Sequence, residues 1–149
     1  MKQWLKKRKA RGFTLVELLI VIVIIGILAG SLLLVMGSGT DKANATKIAS
    51  NLRTIKAAEL MYYADEGKFK DIPNVGSDDE IVKYLDRKVN DPLGKYSVET
   101  GKGTESGDYY VVFKKDGGTA TQGVLAILGK MEGVEVLSAD KEYGSRIGR

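Results

Sequence analysis

Glu17 is the only charged side chain between Phe13 and Met36, in a stretch that is otherwise almost wholly apolar. A carboxylate in such a run is expensive at the centre of a bilayer and cheaper near its edge, where the side chain reaches back to water. Two chemistries follow: an acid tolerated at an interface, or a charge that pairs with a cation brought by another chain. A second acidic group is Asp78-Asp79-Glu80, with Asp71 and Asp91 near in sequence. It has the composition of a cation site but not the ligand order of a calcium loop. Ser77-Asp78-Asp79-Glu80 also fits a helix capping box, so no metal is expected. The chain has neither histidine nor cysteine. Imidazole catalysis, cysteine nucleophiles, disulfides and thiolate zinc sites are thereby excluded. No nucleophile–base pair, catalytic carboxylate spacing or glycine-rich phosphate loop stands out, so neither an enzyme nor a cofactor is expected.

The elements that must position Glu17 separate by composition into residues 1–12, 13–36, 37–66 and 67–149. The first is cationic, with six lysines and arginines and no acid. The whole chain carries +4 and a pI near 9.2, but without these six residues 17 basic groups face 19 acidic ones, a net −2. The basicity therefore belongs to a terminal tag. No nucleic-acid surface is expected, since that charge would have to sit on the folded body. Trp4 in the tag suits a membrane interface. Leu15–Met36 has 22 residues, about 33 Å as a helix, enough to cross a bilayer core. Being apolar on every face, it must lie in lipid or among other helices. The flanking cations place the N-terminus in the cytoplasm and everything after Met36 outside. Ala29-Gly30-Ser31 is a poor version of a secretory cleavage site, within a run too long for one.

Beyond Gly37-Ser38-Gly39, Thr40 and Asp41 are candidate helix N-caps. Ala45, Ile48, Leu52, Ile55 and Tyr62, with Ala49 and Ala58, form one stripe of an amphipathic helix running to about Asp65. Lys47, Arg53, Lys56 and Glu59 fall mostly off it. This helix is either continuous with the apolar one or interrupted at the glycines. A short helix is predicted after Ser77, and Asp91-Pro92-Leu93-Gly94 is a turn. Strands are predicted at Tyr96–Val98, Tyr109–Phe113 (central) and Val134–Leu137, and a helix within Thr119–Met131. Tyr62, Tyr63 and Phe69 are explained by core packing. Two or three antiparallel strands on one long helix make an α+β head.

Lys6-Lys7-Arg8-Lys9-Ala10-Arg11-Gly12, followed by Phe13-Thr14-Leu15-Val16-Glu17-Leu18-Leu19-Ile20-Val21 and Ile24-Ile25-Gly26-Ile27-Leu28-Ala29, resembles the processing site of type IV prepilins and pseudopilins. The resemblance covers residues 6–30. It implies that a prepilin peptidase cuts between Gly12 and Phe13 and methylates the new Phe13 amine. Gly12 suits the cut, because a residue without Cβ lets backbone enter a tight protease site. It further implies that Glu17 pairs with the Phe13 amine of a neighbouring subunit and sets register in a filament, which favours the docking reading over the interfacial one. The fold implied is pilin-like. Many members carry proline where Leu34 stands, so a proline kink is not expected, and Gly37 and Gly39 would supply any flexibility. Asp91-Pro92-Leu93-Gly94-Lys95-Tyr96 is faintly similar to a turn of major pseudopilins, with Leu93 replacing tryptophan; a generic turn is the simpler reading.

The function implied is a repeating subunit of a type IV pilus, serving adhesion, motility or DNA uptake. The absence of an obvious added binding domain favours a major subunit. Its partners would be copies of itself, the peptidase/methyltransferase and an assembly platform, with the inner membrane as its store before extracellular assembly. The alternatives are a pseudopilin of a type II secretion or competence system and, from another class, a single-pass membrane-anchored binding protein or enzyme.

Overall fold

The computed structural model describes residues 12–102, 107–138 and 142–148, apart from the side chains of residues 34–36 and 79. The cationic leader up to Arg11, Trp4 included, lies outside the described residues. Two compact units divide the chain, one ending at Gly37 and the other beginning at Ser38. Helix α1, Leu15–Glu66, contributes to both, and its helical backbone runs through Gly37 and Gly39. Thr40 and Asp41 are thus interior helix residues and not N-caps. No proline interrupts the span, and glycine weakens a helix by only about 1 kcal/mol per residue.

Within the first unit, every large apolar side chain from Leu15 to Leu33 is half exposed or more. Among the described residues α1 is the only helix long and apolar enough to cross a membrane.

The second unit is built on the predicted stripe. Ala45, Ile48, Ala49, Leu52, Ile55, Ala58 and Tyr62 are all buried in one cluster with residues of the sheet. The sheet holds β1 (Lys95–Thr100), β2 (Tyr109–Lys114), β3 (Glu135–Ser138) and β4 (Glu142–Gly148) in the order β1-β2-β4-β3, with antiparallel neighbours. Tyr96, Val98, Val111, Phe113 and Tyr143 join the helix-side core. The alternating residues of β1, β2 and β4 form the other face. There Tyr110 and Val112 are also fully buried. Around them Lys102 bridges Glu99 and Glu142 at 3.2 Å each, and Lys114 pairs with the same two acids. Glu99 is held below the ordinary glutamate range: burial pushes it up, and the Lys114, Ser97 and Lys102 donors outweigh that.

Strand β4 is an addition to the sequence expectation. Gly144, Ser145 and Arg146 have little strand preference, and the strand exists because β2 and β3 pair with it on both sides. The short helix α2 is Asp79–Val82, capped one residue later than expected: Asp78 accepts from Glu80 N–H at 3.0 Å and Ile81 N–H at 3.2 Å. Helix α3, Gln122–Leu128, buries Val124, Leu125 and Leu128, and its cap is Thr121. The Thr121 hydroxyl also donates to Asp41 at 2.8 Å, tying α3 to α1.

Gly118 marks a close approach of two turns. A Cβ there would stand 2.0 Å from the Leu93 carbonyl oxygen and 2.6 Å from the Gly94 nitrogen, both backbone atoms. Thr119 and Ala120 N–H meanwhile donate to the Pro92 and Leu93 carbonyls. Gly118→Ala is expected to lower stability by about 2 kcal/mol, as overpacking does. A urea unfolding midpoint unchanged from the parent chain would refute this.

Candidate functional site

Gly12, Phe13 and Thr14 precede the first helical residue, Leu15, and the Gly12–Phe13 bond therefore lies outside the helix. Phe13 is 92% exposed. The helix starts where it does because of a reciprocal cap. Glu17 Oε2 accepts from Thr14 N–H at 2.8 Å and from the Thr14 hydroxyl at 2.7 Å, while Glu17 N–H donates back to Thr14 Oγ1 at 3.2 Å. This satisfies donors that a helix N-terminus leaves unpaired. The carboxylate also sits at the positive end of the helix dipole. Its Oε1 makes no hydrogen bond among the described residues. Sequence reasoning singled out Glu17 for docking and missed its capping role, although Thr14-x-x-Glu17 carries the capping-box spacing.

Of the remaining candidates, Gly37 and Gly39 are helical, and a Cβ at either would meet open space. Packing within this chain therefore does not require glycine there. Of the acidic group after Ser77, Asp78 and Glu80 are engaged by neighbouring groups. Asp78 caps α2, and the Lys70 ammonium contacts Asp78 at 3.2 Å and Glu80 at 2.6 Å. The pull of Glu80 first, then of Asp78, raises Lys70 well above its usual range despite some burial. Tyr62 is buried and meets Tyr84 edge-on, whereas Tyr63 stacks on Phe69 at 4.4 Å, and Phe69 meets Tyr109 at a tilt, 4.9 Å between centroids.

The Asp91 turn is more than a generic one. The Asp91 side chain, 1% exposed, accepts from Lys47 Nζ at 3.0 Å, Asn51 Nδ2 at 3.2 Å, the Tyr96 hydroxyl at 3.0 Å and Leu93 N–H at 3.1 Å. One carboxylate thus joins α1, the turn and β1. Burial, then the Asp91 charge, drives the Tyr96 hydroxyl far above its ordinary range against the opposing Asn51 bond, keeping it a donor. The clue in the sequence was Asp91 and Tyr96 in one turn; that both reach α1 was not visible.

An exposed apolar helix with a single acid at its capped start, leading into a helix packed on a four-stranded antiparallel sheet, is a pilin-like α+β fold. The family model described as the prokaryotic N-terminal methylation motif matches residues 7–33. Type II secretion system core protein G of Klebsiella michiganensis is 35% identical over 65 residues, covering 44% of this chain and 46% of that protein. The toxin coregulated pilin of Vibrio cholerae is 27% identical over 122 residues, 82% of this chain and 52% of its own length. The type IV wide pilus major component PilA4 of Thermus thermophilus is 40% identical over 62 residues, 42% and 47% of the two chains. The chain thus spans about half the length of the curated relatives it matches. No solved structure matches it at a significant level. The chain thus carries the N-terminal motif of type IV pilins and pseudopilins and is similar to members of that family. Proteins of that family are structural subunits and not enzymes.

Proposed function

We propose that this chain is a structural subunit of a type IV pilus, used for adhesion, motility or DNA uptake. Residues 1–12 are its leader, 13–36 its membrane and filament-core helix, 37–66 the amphipathic continuation and 67–149 the head. The peptidase cuts between Gly12 and Phe13 and methylates the Phe13 amine. The subunit waits in the inner membrane and is then extracted by an assembly platform into a polymer of its own copies. Glu17 of one copy takes the Phe13 amine of another, and Gly37 and Gly39 give the helix backbone freedom at that passage.

The observation that carries this reading is the helix surface from Leu15 to Leu33, exposed on all sides. A surface of that kind must be covered by lipid or by like helices. A repeating heterologous contact between such copies grows as a filament. The role of a major subunit draws support from the likeness to the toxin coregulated pilin, which extends over 82% of this chain. A second reading, a pseudopilin of a type II secretion or competence system, draws support from the likeness to core protein G and from the buried Asp91–Tyr96 pair.

Protein sheared from the cell surface is expected to begin at Phe13 and to carry one methyl group, as read by intact mass. Material that still begins at Met1 would overturn the processing and with it the pilus assignment. A secretion defect on deletion, with no surface filaments, would move the assignment to the pseudopilin.

A further inference from the structure

Glu59 lies near the C-terminal end of α1, four residues after Ile55 and three before Tyr62 on the buried face, and it is 0% exposed. The segment following the helix folds back over it. Lys70 N–H donates to Glu59 Oε1 at 2.8 Å, and Oε2 is buried with no hydrogen-bond partner among the described residues. The Lys70 ammonium, whose charge reaches Glu59, is itself paired with Asp78 and Glu80. The groups facing Glu59 are Tyr62 from its own helix, Lys70 and Asp71 from the following segment, and Asp78 from the α2 cap. Asp71 is itself anchored to Thr100 N–H of β1 at 3.0 Å.

An ionised carboxylate in such a place has lost its water and gained one backbone donor, while the Lys70 ammonium is paired with other acids. Neutralisation by a proton is the cheaper state. We propose that Glu59 is a proton-operated catch: when protonated it holds the segment after α1 against the helix, and its ionisation as pH rises releases that hold. Burial, opposed by the Lys70 backbone bond and reinforced by Asp78, raises Glu59 above the ordinary glutamate range. The folded chain then keeps a proton where the unfolded chain has lost it. The stability contributed by that proton is full below the unfolded glutamate range and declines as pH rises through the folded value. Above that value, local opening that hydrates Glu59 is favoured.

The test uses the full chain in detergent micelles. The Glu59 carboxyl carbon is titrated by 13C NMR, and Lys70 amide exchange is followed over the same range, corrected for intrinsic exchange. The expected result is a Glu59 midpoint above the ordinary glutamate range, with Lys70 protection falling through that transition in the parent chain and staying flat in Glu59→Gln. A midpoint within or below the ordinary range overturns the proposal, as does Lys70 protection that ignores the transition. Should Glu59→Gln fail to fold, the two measurements on the parent chain decide the matter alone.

Discussion

Glu17→Gln should give a chain that is inserted, cut after Gly12 and helical, yet builds no filaments. The substitution is chosen for what it keeps. Glutamine at the third helical position still closes a capping box with Thr14, so the helix start survives. Only the charge is lost. A hydrogen bond to a charged group contributes about 1.5–3 kcal/mol, which in association is roughly a ten- to hundredfold loss at each contact. A filament repeats that loss at every subunit, and the neighbour's amine is left buried without a partner. Thr14→Ala makes the reverse change, weakening the cap by about 1 kcal/mol while leaving the charge. It should assemble with a modest deficit. Electron microscopy and the yield of sheared filaments read both variants. Normal polymer from Glu17→Gln would remove the docking role and leave Glu17 as a helix cap.

Asp91→Ala should be the most destabilising single change in the head, at about 3 kcal/mol, because it strips the acceptor from several buried donors together. Asn51 Nδ2, the Tyr96 hydroxyl and Leu93 N–H all point at that carboxylate. Lys47 is the least affected partner, since its side chain is 47% exposed and water replaces the ion pair. Asp91→Asn retains the volume but turns an NH2 toward donors, so it should recover little. Urea unfolding of the full chain in micelles measures this as a lower midpoint at unchanged slope. A loss under 1 kcal/mol would mean that water satisfies these donors and that the turn is held by its backbone contacts instead.

The legible parts of the fold were those whose physics is local. Ala45, Ile48, Leu52, Ile55 and Tyr62 repeat at helical spacing because one side of one helix meets one core, and all of them are buried. Tyr109–Phe113 reads as a central strand because β-branched and aromatic residues favour a sheet covered on both faces, as β2 is. Glu59 was set apart for its charge, although it stands four residues after Ile55 and three before Tyr62, in phase with the buried stripe. What covers it, the backbone of Lys70, arrives from a loop whose path no periodicity encodes. The cap after Ser77 slipped by one residue because Ser77 and Asp78 are both good caps, and only backbone geometry chooses between them.

By itself the sequence determined an apolar helix with one acid at its start, a cationic tag before it and an amphipathic continuation, because hydropathy, charge and periodicity act along the chain. Only the tertiary structure decided that β4 enters between β2 and β3, that Asp91 binds helix to sheet, and that Glu59 is sealed with one oxygen unpartnered among the described residues. Each of these depends on groups far apart in the chain, and their energies exist only once folding has brought those groups within hydrogen-bond reach and taken the water away.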